Sequence, residues 1–394
     1  MDRDRLIDDA RGAFFGHFGY EPQAVGVAPG RVELLGNHTD YNEGFVLTAA
    51  IDRAVAIAGT AREVPTVRLG SATPDFAPET YSVGDARKVE QGPTRWANYI
   101  KGVADELAQA GIDPGGFDAF VSSTVPDGSG VSSSAALLVA TAQLLRALTP
   151  SSAPVDPMDL ARLCRRAENG RFVGAPVGLL DQFSSVFGRD GHALFLDCRS
   201  LAWQALPLSA DRCRILIADT GVKHALADSD GGYPARFAQC REAARHLTGR
   251  PDATLRDITP EAFEERAATL DPVLERRARH VIYENRRVEM GAEALAGGNL
   301  SAFGEMLNLT HESCQRLFEN SCPEVDTLVE LAQAQPGVYG AKLTGGGWGG
   351  CAVILHPPEV TDTLIAALTE GFTRRYGRAP GLLPTSAAAG AAAY

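Results

Sequence analysis

The chain has 394 residues, 45% of them hydrophobic, and its 37 Lys and Arg against 49 Asp and Glu give a formal net charge of −12. Single cores seldom grow past about 250–300 residues, so this length predicts two lobes with a cleft. The acidic balance excludes a general nucleic-acid surface, which needs clustered Lys and Arg, and no apolar run nears the roughly 18 residues of a membrane span.

Seven cysteines, Cys164, Cys198, Cys213, Cys240, Cys314, Cys322 and Cys351, form no C-x-x-C pair. They fit neither a zinc knuckle nor a disulfide framework and predict reduced thiols that fill the core. The charged start, Met1 to Leu6, has no secretory pattern, so a cytoplasmic protein is expected.

Residues 6–18 carry apolar side chains at helical spacing, closed by Gly19 and Pro22. Ala24 to Ala28 reads as a short strand ending at Pro29-Gly30. The run Arg31-Val32-Glu33-Leu34-Leu35-Gly36-Asn37-His38-Thr39-Asp40-Tyr41 follows, ahead of apolar strands over 45–51 and 54–58. Taken singly, Arg31 reads as a solvated charge, His38 as a satisfied imidazole and Asp40 as a turn cap. Together they supply the donors and acceptors that grip a polyhydroxylated ligand. Trp96 and Tyr99 start a helix at i, i+3 spacing, more typical of a core pair than of a ligand platform.

From Val125 to Ala140 a turn rich in glycine and serine runs into an alanine-rich helix. Gly128 and Gly130 let the backbone approach an anion, and Ser132, Ser133 and Ser134 sit beside first-turn amides whose dipole favours polyphosphate. The bland alternative is a plain helix cap. No Gly-Lys-Ser or Gly-Lys-Thr closes the turn, so it is not a Walker A loop.

A helix over 160–168 ends at Asn169-Gly170, and Asp181 then stands after a Gly-Pro turn in a stretch with little other charge, as a helix cap or a general base. Strands are expected over 191–198 and 214–219, then a loop rich in Asp and Gly over 227–233 and helices over 234–247 and 260–270. The charged amphipathic segment 277–307 breaks at Gly297-Gly298. A strand over 337–343 runs into Thr344-Gly345-Gly346-Gly347-Trp348-Gly349-Gly350 and a strand over 351–355. So much glycine fits neither helix nor strand and points to a close approach of backbone to ligand. The alanine-rich tail, 380–394, reads as a last strand with a loose end.

The stretches G-R-V-E-L-L-G-N-H-T-D-Y-N, V-P-D-G-S-G-V-S-S-S-A-A and K-L-T-G-G-G-W-G-G-C resemble the three motifs of the GHMP kinases, and within them the galactokinase family. W-A-N-Y-I-K-G-V, G-L-L-D-Q-F and D-T-G-V-K-H are similar to that family too, so the resemblance runs from about Pro29 to Val353. It implies a two-lobed α+β fold with the active site in the cleft between an N-terminal lobe, 1–205, and a C-terminal α/β lobe, 206–394. The implied reaction moves the ATP γ-phosphoryl group to the anomeric hydroxyl of galactose. Sugar and ATP are then the partners, Mg²⁺ the cofactor, and a monomer the expected state.

The resemblance also implies roles. Asp181 stands near the sugar O1 as general base, and Arg31 steadies Asp181 and the transferring group. Asn37, His38, Asp40, Gly178 and Tyr233 match sugar-contacting positions. Gly128, Ser129, Gly130, Val131, Ser132, Ser133 and Ser134 match the phosphate loop, Trp96 and Tyr99 the nucleobase side, Ser134 and Glu168 the Mg²⁺ pair, and Gly345, Gly346 and Gly347 the third motif.

The main departure is Asn37, where the family has a glutamate that accepts a hydrogen bond from the sugar O6. Asparagine keeps an acceptor, loses the charge and gains a donor. That lowers the barrier to galacturonate or L-arabinose in place of galactose, and a kinase for another GHMP acceptor such as N-acetylgalactosamine is a separate alternative. The segments before Asp181 and before Tyr233 are also longer than the family's, which bears on the alignment of Glu168 and Tyr233. Non-catalytic sugar sensors of the family are damaged in the serine run, whereas Ser132 to Ala136, Arg31 and Asp181 are all intact here, which favours catalysis.

Overall fold

The structure, a computed structural model, describes residues 3–126, 130–149, 154–175, 177–222 and 232–394. Helix α1 (Arg3–Phe18) leads into strands β1 (Ala24–Leu35), β2 (Phe45–Arg62), β3 (Thr66–Ser71) and β4 (Glu79–Ser82). Helix α2 (Ala97–Gln109) and strand β5 (Gly116–Ser123) precede helices α3 (Ser133–Ala147), α4 (Pro157–Asn169) and α5 (Leu180–Phe187). Strands β6 (His192–Asp197), β7 (Trp203–Pro207) and β8 (Arg214–Asp219) follow. Then come helices α6 (Tyr233–Thr248), α7 (Pro260–Arg266), α8 (Pro272–Ala296), α9 (Leu300–Ser313) and α10 (Pro323–Gln333). The chain ends with β9 (Gly340–Thr344), β10 (Cys351–His356), α11 (Thr361–Tyr376), β11 (Gly381–Thr385) and β12 (Ala392–Ala393).

Two sheets organise these elements into the α+β fold. The first is eight-stranded, in the order β12-β1-β2-β5-β3-β4, with β6 paired to β2 and β7 to β6. The second is four-stranded and antiparallel, in the order β11-β8-β10-β9. Strand β1 is buried along its whole length. Its alternation sends Val25 and Val27 to α1, among Leu6, Ile7, Ala10 and Phe14, and Ala24 and Ala28 to the main core that α3 joins.

Three local expectations change. Strand β1 does not stop at Pro29-Gly30 but runs to Leu35, because its register with β2 shifts between Pro29 and Arg31, where a missing proline N–H is tolerated. The stretches 45–51 and 54–58 are parts of one strand, β2, whose first half pairs β6 and whose second half pairs β5. The end of the tail is tied down: Tyr394 and Val25 exchange backbone hydrogen bonds of 2.8 and 2.9 Å. The break at Gly297-Gly298 falls between α8 and α9, and Asn299 caps α9 by accepting from the Ala302 amide. Among the described residues no helix is long and apolar enough to cross a membrane.

Candidate active site

The period of β1 puts Arg31 and Glu33 on one face, opposite Ala50 and Thr48 of β2. The chain then turns sharply, with Gly36 at φ 100° and His38 at φ 61°. Buried Glu284 on α8 holds this turn: its Oε1 accepts from the amides of Gly36 at 2.7 Å and Asn37 at 3.2 Å. Its Oε2 accepts from Arg287 at 2.7 Å and Thr310 at 2.8 Å. Burial alone would raise the Glu284 carboxyl, but the charges of Arg287, His280 and Lys342 with the Gly36 amide outweigh it and hold the group at about 2.

Beyond the turn the side chains close on one cavity of about 470 Å³, which gathers Arg31, Asn37, His38, Asp40, Gly178, Asp181, Tyr233, Gly345 and Gly346, together with Glu33. Asp181 lies in the first turn of α5 and is not its cap. Its Oδ1 takes both Nε and Nη2 of Arg31, at 2.8 and 2.7 Å, and its Oδ2 accepts from the Ser132 hydroxyl at 2.7 Å. The third guanidinium nitrogen, Nη1, donates to the Gly130 carbonyl at 2.8 Å, and the Arg31 amide donates to Val131. Ser132 precedes α3 at φ 59° and spends its hydroxyl on Asp181 rather than on capping the helix.

Half-buried Asp40 is pushed up to about 6, by burial first and then by the charges of Glu33 and Asp181. Gly178 packs so close that a Cβ there would stand 2.0 Å from Asp40 Oδ2. Burial pulls His38 down to about 3, so the ring is neutral near pH 7. A carbonyl can only accept, so Nε2–H donates to Gly346 at 3.0 Å and Nδ1 accepts from the Tyr41 hydroxyl at 3.0 Å. Tyr233, at the start of α6, packs its ring tilted against His38 with centroids 5.2 Å apart and edge-on to Tyr41 at 5.3 Å.

Asn37 lines the cavity but has no hydrogen-bonding capacity left for a ligand. Its Nδ2 donates to Glu33 Oε1 at 3.1 Å and to the Gly345 carbonyl at 2.9 Å. Its Oδ1 accepts from Asn320 at 2.9 Å and Cys314 Sγ at 3.3 Å. The glycines of the third motif approach protein backbone as well as the cavity. A Cβ on Gly347, at φ 98°, would lie 2.2 Å from the Asn320 carbonyl, and one on Gly345 would lie 3.3 Å from Gly130 O.

Glu168 is 5% exposed and hydrogen-bonded to Ser134 and Gln182, and burial followed by the Asp181 charge raises its carboxyl to about 7. A carboxylate and a hydroxyl side by side offer the hard oxygen donors that Mg²⁺ takes from protein, one or two at a time, beside substrate phosphates. Among the described residues no three His, Cys, Asp or Glu cluster as a metal cage. Ser133 opens α3. Gly128 and Ser129 lie outside the described residues. Trp96 and Tyr99 stand apart from this cavity: Trp96 is 4% exposed, stacked on Phe76, with its N–H given to Ala77 O, and half-buried Tyr99 packs on the main core.

Sequence reasoning passed over Glu33, Glu284 and Lys342. Wholly buried Lys342, on β9, donates to Glu33 Oε1 at 3.0 Å and so joins the two sheets. The available signals were the spacing of Glu33 two residues from Arg31 and a lysine amid apolar neighbours on a short strand.

The galactokinase galactose-binding signature matches residues 12–61, the GHMP kinase N-terminal domain residues 98–189 and the GHMP kinase C-terminal domain residues 292–373. The galactokinase of Homo sapiens is 43% identical over 355 residues, covering 89% of this chain and 88% of its own. That of Chloroflexus aurantiacus is 40% identical over 382 residues, covering 96% and 95%. The crystal structure of Lactococcus lactis galactokinase complexed with galactose superposes with a TM-score of 0.90 at 33% identity, covering 98% of this chain and 99% of that one. Methanococcus jannaschii mevalonate kinase, 17% identical with a TM-score of 0.65 over 92% of this chain and 98% of its own, shares the fold. The chain belongs to the galactokinase family of the GHMP kinases.

Proposed function

We propose that the protein is an ATP-dependent galactose 1-kinase that makes α-galactose 1-phosphate. The observation that carries the reading is Asp181, fixed on both carboxylate oxygens by Arg31 and Ser132 at the wall of a cavity next to the N-terminus of α3. Asp181 accepts the O1 proton as O1 bonds to the γ-phosphorus and the bond to the ADP leaving group breaks. Arg31 and the α3 N-terminus neutralise charge on the transferring group.

The neutral His38 ring and Asp40 shape the sugar side, with Tyr233 and Gly178 as its walls. Ser134 and Glu168 would hold Mg²⁺, which would supply charge neutralisation at the phosphates. Trp96 and Tyr99 serve the nucleobase side, and the enzyme works as a cytoplasmic monomer. The galactose-binding signature and the galactokinase relatives support galactose over galacturonate, L-arabinose and N-acetylgalactosamine. ADP release measured across these four sugars and mevalonate tests the reading. Galactose should give the highest kcat/KM; another sugar ahead of it by about tenfold, a difference of 1.4 kcal/mol, would overturn the choice of acceptor.

A further inference from the structure

Resting on the galactose reading, we propose that Glu33, rather than Asn37, presents the carboxylate that accepts a sugar hydroxyl, with Asn37 and Lys342 as the positioning residues that aim it. An asparagine side chain offers two N–H donors and two acceptor lone pairs. Asn37 has spent all four, on Glu33, Gly345, Asn320 and Cys314, and is 0% exposed. It holds a neighbour in place and has nothing left for a ligand.

That neighbour is Glu33, which lines the cavity. Its Oε1 takes both Lys342 Nζ at 3.0 Å and Asn37 Nδ2 at 3.1 Å. Its Oε2 accepts no hydrogen bond from any described residue and is not among the closed-off buried oxygens. One carboxylate oxygen is therefore anchored and the other is open to the cavity. Lys342 is wholly buried, and its pairing with Oε1 fixes the carboxylate in a single orientation. An open carboxylate oxygen beside Asp40 and Asp181 suits a ligand that brings several O–H donors, and a charge-assisted O–H···O⁻ bond is the strong kind. The carboxylate stands four residues before Asn37, on the strand that also carries Arg31.

A competing reading makes Glu33 only a tie between the two sheets through Lys342. Steady-state kinetics of the full chain with galactose and its 2-, 3-, 4- and 6-deoxy forms separates the two. The wild type should penalise one deoxy sugar by about 10- to 100-fold in kcat/KM. In Glu33→Gln the galactose KM should rise by a similar factor, with kcat and the ATP KM within about threefold and that one penalty collapsed.

Glu33→Asp draws both carboxylate oxygens back by one methylene, loosening the Lys342 pairing and any sugar contact alike, so its readout is the deoxy series. A mere tie leaves every deoxy penalty at its wild-type value, whereas a sugar contact lowers one of them alone. It also decides the matter if Glu33→Gln does not fold. Deoxy penalties unchanged within about twofold in the folded variants would overturn the proposal. If the wild type itself prefers another sugar, the galactose reading fails separately, and the deoxy series of that sugar decides Glu33 on its own.

Discussion

Arg31 and Asp181, 150 residues apart in sequence, meet through two guanidinium nitrogens on the same carboxylate oxygen, at 2.8 and 2.7 Å. The contact joins β1 to the first turn of α5, and the Ser132 hydroxyl fixes the other oxygen from the N-terminus of α3. Three elements that pack directly on one another therefore converge on one carboxylate. Its orientation is set before any ligand arrives, as the proposed role of Asp181 as general base requires.

Gly178 is required by Asp40. In Gly178→Ala the new Cβ would stand 2.0 Å from Asp40 Oδ2, and the carboxylate, the mobile partner, must swing away. Galactose KM should rise about 10- to 100-fold, the worth of a charged hydrogen bond, while the ATP KM and thermal midpoint stay near wild type. Paired KM measurements on both substrates check this.

Asp40 should leave a signature in pH. Its folded value of about 6 lies above the ordinary 3.8, so the native chain holds this proton more tightly than the unfolded chain. The ionised group then destabilises the fold fully above about 6 and not at all below 3.8. Because sugar hydroxyls donate to the ionised form, kcat/KM for galactose should fall as pH drops through about 6. Asp40→Asn should lose that limb, bind galactose weakly at every pH, and exceed the wild type in thermal midpoint at pH 8 but not at pH 4.

Much of this site was legible because its chemistry sits in short local runs. Arg31, His38 and Asp40 share one strand and turn, and the serine run precedes a helix whose end attracts phosphate. The rest was hidden for a physical reason. Glu284 lies in a helix with many charges, and nothing local marks it as the one turned inward to meet the amides of Gly36 and Asn37. Glu33 looks like an ordinary polar residue until β9 brings Lys342 to it, 309 residues later. Pro29 reads as a strand end because the bulge that accommodates it depends on pairing with β2.

Glu284 should carry much of the stability of the sugar-site turn. Its folded value of about 2 lies below the ordinary 4.5, so its contribution is present above 4.5 and is lost as pH falls toward 2. Glu284→Gln leaves Arg287, whose side chain is 13% exposed, without its counter-charge beside a fully buried amide and should cost about 3 kcal/mol at neutral pH. Urea unfolding of both proteins should show that gap at pH 7 and a smaller one at pH 3.

The most direct test of the account is the turnover of Asp181→Asn with galactose and ATP, followed by phosphorus NMR of the product. The wild type should form α-galactose 1-phosphate, and the variant should keep both KM values near wild type while kcat falls by about 10² to 10⁴. A variant that turns over galactose at close to the wild-type rate, or a wild type that forms no sugar phosphate from it, would contradict the account.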